Sequence, residues 1–218
     1  MKIRRIKPAD YAVLEDFLYN AIYIPPGEEM PPREVVFEPE IYIYIDGFGS
    51  KSGDLGVVAE QDGKIIGAAW TRIIPAYGHI NEETPELAIS VLSEFRGNGI
   101  GTKMMKKLFE FLAEKGYKQT SLSVQKNNPA VKFYERLGYK VTDEKFDHAG
   151  HEDYIMVRDL SKERQDYGVA MGICFGVAFG FIIGTLNDNI GLWLSIGLCL
   201  GISCGATWSL ASKSRKKK

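Results

Sequence analysis

The chain has 218 residues and a formal net charge of -1, enough for one domain of ordinary size and an appendage. Five basic residues and one acid follow position 167, which leaves a net charge of -5 on residues 1–166. This acidic balance argues against a nucleic-acid partner, which requires a basic surface. All three cysteines (Cys174, Cys199 and Cys204) lie in the last fifty residues, so the first 166 hold neither a disulfide framework nor a cysteine zinc site.

The N-terminal segment begins with MKIRRIKPAD, and no apolar run follows its basic residues, unlike a secretory signal. We therefore expect the globular part to lie in the cytosol. The pattern predicts a short strand over 2–6 and a helix over 9–21. The apolar stripe of this helix consists of Val13, Leu14, Phe17, Leu18 and Ala21.

A long connection rich in proline and glutamate covers residues 24–54. It is predicted to hold a second short helix, although residues 41–45 (IYIYI) alternate as a strand would, and periodicity leaves both open. Residues 24–50 carry six acids and one base, interleaved with aromatic side chains. Such a surface suits a cationic amine, while a solvated loop with some packed rings is the simpler alternative.

The rest of the globular part alternates strands and helices. A hairpin of strands 55–60 and 64–74 is indicated by the turn at Asp62-Gly63. A helix over 101–115 ends at Gly116, and a helix over 129–137 begins with proline. Further strands are predicted over 86–92, 119–124, 139–145 and 152–159.

The glycine-rich segment RGNGIGT at 96–102 lies between a predicted strand and a predicted helix. Glycine allows close approach of backbone N–H groups to a ligand, and a helix N-terminus adds unpaired N–H groups and positive dipole. The segment predicts a phosphate-type anion site, with an ordinary strand-to-helix turn as the alternative. It fits neither the dinucleotide fingerprint, whose third glycine would fall on Thr102, nor the Walker loop.

Two motifs in this order of elements resemble the GNAT N-acetyltransferase family. Its R/Q-x-x-G-x-G/A signature is matched at 96–101 (RGNGIG), and its N-x-x-A-x-x-[FL]-Y-x-x-x-G-[FY] signature at 127–139 (NNPAVKFYERLGY). The resemblance covers about residues 1–160. It implies an α/β (α+β) fold with a mixed, mostly antiparallel central sheet flanked by helices. It also implies direct transfer of acetyl from acetyl-CoA to a primary amine, and we expect no metal.

The resemblance implies where acetyl-CoA binds. Its pyrophosphate is expected on the amides of the glycine-rich segment, at the N-terminus of the next helix. The preceding strand is expected to splay from its neighbour, pair with pantetheine and hold the thioester oxygen as it becomes an oxyanion. The cofactor-binding candidates are Ile89, Ser90, Val91, Arg96, Gly97, Asn98, Gly99, Ile100, Gly101, Thr102 and Asn127. For Asn127, a plain turn is the alternative.

Acetyl transfer needs a base for the amine, whose pKa is ~10.4, and benefits from an acid for the leaving thiolate. Tyr134 matches the family position of that acid; a packed aromatic ring is the alternative. Glu86 opens the key strand and is the candidate base, directly or through water, unless it is only a solvated strand end. Glu82, Glu83 and His79 are further base candidates in the same loop.

The C-terminal part contains two uncharged runs, 168–186 and 190–211. As helices they are ~28–33 Å long, close to the ~30 Å bilayer core, so we predict a transmembrane hairpin rather than a buried core hairpin. A linker is predicted at 161–167 and a basic tail at 212–218. Because both flanks are basic, we expect a multi-pass protein of the cell membrane with its N-terminal domain and C-terminus in the cytoplasm.

Glycines recur at four-residue spacing in both runs, on one face of each helix. They are Gly168, Gly172, Gly176, Gly180 and Gly184 in the first run and Gly197, Gly201 and Gly205 in the second. This resembles a glycine zipper, in which bare faces allow helices to approach closely in lipid. Packing within one hairpin is the simplest arrangement, and packing between chains into a homo-oligomer is the rival.

The sequence thus leads to a membrane-tethered N-acetyltransferase. The alternatives are a non-catalytic acetyl-CoA-binding sensor and a membrane-assembly protein that oligomerises through the zipper. The acceptor amine stays open at this stage, from small polyamines to peptide N-termini and lysine.

Overall fold

The computed structural model describes residues 1–146, 150–161 and 167–214. The chain divides into two compact units, Met1–Arg164 and Gln165–Lys218. Positions 162–166 of the predicted linker and positions 215–218 of the predicted basic tail lie outside the described residues.

The described residues of the first unit form seven strands and four α-helices. The strands are β1 (Lys2–Arg5), β2 (Leu55–Gln61), β3 (Lys64–Arg72), β4 (Glu86–Val91), β5 (Gln119–Gln125), β6 (Lys140–Phe146) and β7 (Glu152–Asp159). The helices are α1 (Val13–Tyr19), α2 (Pro39–Tyr42), α3 (Ile100–Lys115) and α4 (Ala130–Arg136). Short 3₁₀ turns cover Pro8–Asp10, Arg33–Phe37 and Ser93–Phe95.

The strands form one sheet in the order β1-β2-β3-β4-β5-β7-β6. All neighbours are antiparallel except β4 and β5, which are parallel. This mixed, mostly antiparallel sheet confirms the expected fold. β4 and β5 share one register pair, Glu86 with Ser121, at the N-terminal end of β4. Since the other strand pairs hold at least four register positions, β4 and β5 separate beyond this point.

Two apolar cores lie on opposite faces of the sheet, because successive strand side chains point to opposite sides. On one face, α3 buries its stripe of Met104, Leu108 and Leu112 against the strands. On the other face, α1 packs Leu14 and Phe17 near Trp70 of β3. Helices therefore cover both sides of the sheet around β4.

One predicted element differs in the structure: the helix predicted over 9–21 is a 3₁₀ turn followed by α1, which begins only at Val13. The second short helix predicted in the long connection is present as α2. The strand that was the open alternative at 41–45 does not form, because α2 ends at Tyr42 and turns follow it. Hydrogen bonds from β3 to this segment determine its backbone conformation, and the spacing of apolar residues in the sequence does not reveal such contacts.

The second unit consists of α5 (Tyr167–Leu186) and α6 (Ile190–Ser214). Their glycine faces meet: a Cβ added at Gly172 would overlap the carbonyl oxygen of Gly201, and one at Gly176 that of Gly197. Only glycine permits this backbone approach. The glycine spacing is therefore used between two helices of the same chain, as the simplest arrangement predicts.

The outward surface of this hairpin is apolar. Among the described residues, exposed side chains include Phe175, Phe179, Phe181, Leu192 and Leu200. The stretch Ile190–Thr207 is long and apolar enough to cross a membrane, whereas the described apolar part of α5, Met171–Leu186, is shorter.

Four hydroxyl groups in the described part of the hairpin bond within their own helix. Ser195 donates to the carbonyl of Gly191, and Ser203 to that of Cys199, each one turn earlier. Thr185 and Thr207 do the same with carbonyls three or four residues back. Such bonds satisfy polar groups without water, as a lipid environment requires.

Candidate active site

The edge of β4 that faces β5 presents backbone groups that β3 does not bind. Leu92 donates its N–H to the carbonyl of Ile66 at 3.0 Å, which continues the ladder with β3. Because antiparallel bonding alternates along a strand, Ile89 and Val91 direct their N–H and C=O groups away from β3. They therefore face the gap that opens where β4 and β5 separate.

Ser90 lies differently from its two neighbours. The same alternation turns its backbone groups toward β3, where its register partner is Ala68. Its side chain is buried, and Oγ donates to the carbonyl of Phe17 at 2.8 Å. Of the three predicted residues of β4, Ser90 therefore connects the strand to α1, and the other two line the gap.

Two glycines give the segment before α3 its shape. Gly97 has φ +79°, and Gly99, the N-cap residue of α3, has φ +71°. A side chain is strained in this left-handed region, and a Cβ at either position would point into open space. No side chain caps α3, so the N–H groups of Ile100, Gly101 and Thr102 are available to an anion.

Gly101 is required for close packing rather than for its backbone angle. A Cβ at this position would lie 3.3 Å from the ring of Phe133 and 3.9 Å from the Ile89 side chain. The N-terminus of α3, the helix α4 and the open strand β4 thus meet at Gly101. The two sequence motifs, which begin 31 positions apart in the chain, meet here.

The polar residues around the glycines stabilise the loop. Arg96 donates from Nε to the carbonyl of Val91 at 2.8 Å and joins the loop to the end of β4. Asn98 donates to the carbonyls of Phe95 and Arg96 at 3.3 Å each.

The two neighbouring asparagines at 127–128 make different contacts, which the motif does not specify. Asn127 is exposed, and its carbonyl accepts a bond from Tyr23 at 3.3 Å. Asn128, which was not singled out in the sequence, accepts the N–H of Ala130 at 2.8 Å and shapes the turn into α4.

Tyr134 lies on α4 in an aromatic cluster. Its ring centroid is 5.4 Å from that of Phe133 and 5.8 Å from that of Tyr139. Burial raises the pKa of Tyr134 to about 12. Its hydroxyl makes no hydrogen bond to another residue in the described ranges, so it keeps its proton at neutral pH and is free to donate it.

Glu86 is a buried carboxyl group, not a solvated strand end. It is 2% exposed, and its Oε1 accepts hydrogen bonds from the Tyr44 hydroxyl and from the Gly78 N–H at 2.8 Å. Its Oε2 is buried and has no hydrogen-bond partner among the described residues. Burial raises the pKa of Glu86 to about 7, although both bonds and the charge of Lys145 lower it. A carboxyl group of this kind exchanges protons at neutral pH.

The other base candidates of this loop lie at the surface. Glu82 is exposed and 3.7 Å from His79, while Glu83 is exposed in the turn at Asn81. Glu86 is therefore the buried carboxylate among the predicted bases. A Cβ at Gly78 would lie 2.8 Å from its Oε1, so the loop can cover Glu86 only with glycine here.

Sequence reasoning missed Tyr44 as a site residue. It lies in the segment whose structure periodicity left open, and its hydroxyl binds Glu86, 42 positions away. Burial, together with the neighbouring carboxylate, raises the pKa of Tyr44 well above 10, so it stays a hydrogen-bond donor. The available signal was the aromatic residues in the acidic segment 24–50.

A cavity of about 390 Å³ adjoins this region. It is lined by Pro39, Glu40, Ile43, Pro75, Ala76, Tyr77, Ser123, Lys145, Phe146 and Asp153. Two of its lining residues are close to Glu86 through Gly78, which follows Tyr77 in the chain. Gly78 packs so closely against Glu86 and the backbone of Ser123 that a Cβ there would overlap both. Its size suits a small molecule or the end of a peptide. Within the described ranges, no group of three or more metal-binding side chains is present.

The glycine segment, the open strand and the second motif lie inside the part of the chain that matches a known family. The model of the acetyltransferase (GNAT) family matches residues 21–139. The chain belongs to the GNAT acetyltransferase family. A second family model, that of a glycine zipper membrane protein, matches residues 161–209.

Relatives agree with this assignment. An uncharacterized N-acetyltransferase of Archaeoglobus fulgidus is 32% identical over 142 residues, which are 62% of this chain and 89% of that protein. An aminoglycoside 6'-N-acetyltransferase complexed with coenzyme A has the same fold, with TM-score 0.52, 18% identity and coverage of 73% and 97% of the two chains. The putative acetyltransferase yncA from Salmonella typhimurium, solved with acetyl-CoA, gives TM-score 0.52, 20% identity and coverage of 74% and 94%.

Proposed function

We propose that this chain transfers an acetyl group from acetyl-CoA to a primary amine in a direct step, at the gap between β4 and β5. The observation that carries the proposal is the position of this gap. The backbone N–H and C=O groups of Ile89 and the N–H of Val91, which β3 does not bind, lie beside the uncapped N-terminus of α3. A ligand that has both an extended amide chain and a pyrophosphate fits this combination.

The residues present suit acetyl-CoA. The N–H groups of Ile100, Gly101 and Thr102 would hold the pyrophosphate, since helix N-termini bind anions. The backbone of Ile89 and Val91 would pair with pantetheine, as a further strand would. Arg96 would hold the loop to β4, and its positive charge would attract the pyrophosphate. Ser90 and Asn127 stay predictions, with Ser90 acting through the contact between β4 and α1.

Acetyl-CoA supplies an activated acetyl group, and the chain supplies proton transfers and charge stabilisation. Glu86 accepts a proton from the ammonium form of the acceptor, directly or through water, so that the amine nitrogen is free to attack. A backbone N–H of β4 stabilises the oxyanion on the acetyl oxygen. As the carbon–sulfur bond breaks, Tyr134 donates its proton to the leaving sulfur, and the second proton that the attacking nitrogen releases restores the Tyr134 hydroxyl. Both residues lie in low-dielectric surroundings, where such transfers are effective.

The acceptor binds in the 390 Å³ cavity in this proposal. The carboxylates of Glu40 and Asp153 line it, with Tyr77 and Phe146 as aromatic surfaces and Lys145 as the one lining cation among the described residues. Negative charge beside aromatic rings favours a positively charged amine. Glu86 accepts a hydrogen bond from the N–H of Gly78, the residue that follows Tyr77 in this loop.

The test is turnover by the full chain in mild detergent. Acetyl-CoA is supplied with a panel of small amines, amino acids and peptides, and both CoA release and the mass of the acceptor are measured. The proposal expects at least one acceptor to gain 42 Da (one acetyl group), with no acetylated protein in the absence of amine. Binding without turnover on any amine would favour the acetyl-CoA sensor, and an acetylated protein intermediate would exclude direct attack.

We also propose that the α5–α6 hairpin anchors the enzyme in the membrane, with both chain ends in the cytoplasm. The apolar exposed surface, the internally bonded hydroxyls and the match to glycine zipper membrane proteins support it. The experiment uses a cysteine-free chain with one new cysteine, Asn187→Cys or Lys213→Cys. An impermeant thiol reagent applied to intact cells is expected to label only the first. Labelling of the second would overturn the orientation.

A further inference from the structure

The turn that carries Tyr44 is held by two buried side chains of β3. Trp70 donates from Nε1 to the carbonyl of Tyr44 at 3.0 Å. Arg72 donates from Nη1 to the carbonyls of Ile43 at 2.9 Å and Asp46 at 2.5 Å. Three carbonyls around Tyr44 are thus bound by two side chains that are each at most 2% exposed.

Arg72 is fixed in turn by Asp54. Its Nε and Nη2 donate to the two carboxylate oxygens of Asp54 at 2.9 and 3.1 Å, and the Asp54 side chain is fully buried. The guanidinium also lies 5.7 Å from the centroid of the Phe48 ring. Its planar fork satisfies four acceptors at once, which an ammonium group cannot reproduce. A buried charge of this kind is retained at a desolvation cost, and that cost suggests a role beyond packing.

Arg72 and Glu86 lie opposite each other on the neighbouring strands β3 and β4. Arg72 is the register partner of Glu86, the residue that receives the Tyr44 hydroxyl. The turn, β3 and β4 therefore form one connected arrangement: β3 holds the backbone of the turn, and the turn places its hydroxyl on β4. Displacement of the backbone at Tyr44 would remove the bond to Glu86.

We propose that Arg72 and Trp70 are positioning residues for the reaction: they hold the Tyr44 hydroxyl on Glu86 and so set the pH at which Glu86 accepts the proton of the amine. The inference rests on the proposed function, in which Glu86 is the base. A hydrogen bond to the charged form of a carboxylate favours that form. Loss of the Tyr44 bond therefore makes Glu86 accept its proton at higher pH.

Other groups around Glu86 do not depend on this arrangement. The Gly78 N–H donates to it from the covering loop, and the charge of Lys145 on β6 acts on it in the same direction as Tyr44. Tyr77 in the covering loop acts on Tyr44, and His79 follows in that loop. Arg72 itself is paired with Asp54, which neutralises its charge. The proposed effect thus acts through Tyr44.

The experiment measures kcat/KM of the full chain from pH 5.5 to 9 with a strongly basic amine that remains an ammonium ion over this range, so that its own ionisation adds no change of rate. The variants are Tyr44→Phe, Trp70→Phe, Arg72→Lys and Glu86→Gln. Thr71→Val is the matched control, because it removes one buried bond from the same strand to a loop carbonyl, Thr71 Oγ1 to Gly53 at 3.1 Å. The wild type is expected to lose activity as the pH falls through about 7.

This loss of activity at low pH is the acid limb of the pH profile. The inference expects the midpoint of the limb to move to higher pH by about one unit in Tyr44→Phe, Trp70→Phe and Arg72→Lys, and to stay in place in Thr71→Val. The double variant of Tyr44→Phe and Arg72→Lys should shift no further than Tyr44→Phe alone, because both act through one bond.

Two results would overturn it in distinguishable ways. If Glu86→Gln abolishes the limb but Trp70→Phe and Arg72→Lys leave it at the wild-type pH, the positioning role is wrong and the base role of Glu86 survives. If Glu86→Gln keeps the limb, Glu86 is not the base, and both proposals fail. Should Arg72→Lys not fold, Trp70→Phe decides, since it keeps an aromatic ring in the core and removes the bond to Tyr44.

Discussion

The hydroxyl of Tyr44 donates a hydrogen bond to the carboxylate of Glu86, across 42 positions of the chain. This bond joins an acidic, proline-rich connection to the first residue of the open strand β4. It holds the buried Glu86 carboxylate in place and, in the proposed reaction, favours the charged form that acts as the base. The proposed chemistry of the site therefore depends on a segment that lies outside both family motifs.

The buried Glu86 carboxyl group should make stability depend on pH. Its pKa is about 7 in the folded chain and near the ordinary 4.5 when unfolded. The folded state thus binds the proton more tightly, and this group's contribution to stability falls as the pH rises from about 4.5 to about 7. Glu86→Gln should raise the unfolding free energy at pH 8 by up to about 3 kcal/mol and change it little at pH 4.5.

Denaturant unfolding of the full chain, followed by tryptophan fluorescence at both pH values, measures this difference. Glu83→Gln, at an exposed position of the same loop, is the control. Equal effects of Glu86→Gln at pH 4.5 and pH 8 would mean that Glu86 is not shifted in the folded state.

The glycine segment before α3 should be essential for binding of acetyl-CoA. Gly99→Glu places a negative charge in the open space before α3 and should reduce affinity more than tenfold, as measured by calorimetry with acetyl-CoA. Gly63→Glu is a matched control, because Gly63 has φ +78° and the same open surroundings in the turn between β2 and β3. Both changes carry similar backbone strain. Equal losses in the two variants would show that strain, not the anion site, explains the effect.

Removal of the Tyr134 hydroxyl should slow the chemical step. Tyr134→Phe is expected to lower kcat by about 10- to 100-fold, since general acids contribute at least this much, while the affinity for acetyl-CoA stays unchanged. Tyr117→Phe, at the end of α3, should have wild-type kinetics. If kcat of Tyr134→Phe is unchanged with an amine that is acetylated, the hydroxyl is only part of the aromatic cluster.

The glycine faces of α5 and α6 should act within one chain. Gly176→Leu would overlap the carbonyl of Gly197 and should separate the two helices, whereas Gly191→Leu, with nothing within 4 Å, should not. Spin labels at Phe175→Cys and Leu200→Cys in detergent report the distance between the helices. We expect a narrow distribution for the parent and Gly191→Leu and a broad one for Gly176→Leu. A strong signal between singly labelled chains, lost in Gly176→Leu, would instead show packing between chains.

Much of the fold followed from local patterns. The stripe of α3 and the turn at Asp62-Gly63 have the periods and turn chemistry of their elements, and both were predicted with ends within two residues. The glycine segment was recognisable because positive φ and an uncapped helix leave a sequence signature. The four-residue glycine spacing likewise predicted the close contact of α5 and α6.

The rest depends on contacts that no local pattern encodes. Residues 41–45 alternate like a strand, yet Trp70 and Arg72 bind their carbonyls and make them a turn. The burial of Glu86 follows from the loop at Gly78 and from Tyr44, neither of which belongs to a strand that pairs with β4. The backbone direction of Ser90 follows from the ladder with β3, which the motif does not specify.

The most direct test of the account is hydrogen exchange of the full chain with and without acetyl-CoA, resolved to short peptides by mass spectrometry. The account predicts slower exchange in peptides that cover 87–92 and 97–103, where β4 faces the gap and α3 begins. Peptides over the hairpin turn at 61–64 should be unchanged. Binding of acetyl-CoA that leaves 87–92 and 97–103 unprotected, or the absence of binding by the folded chain, would contradict it.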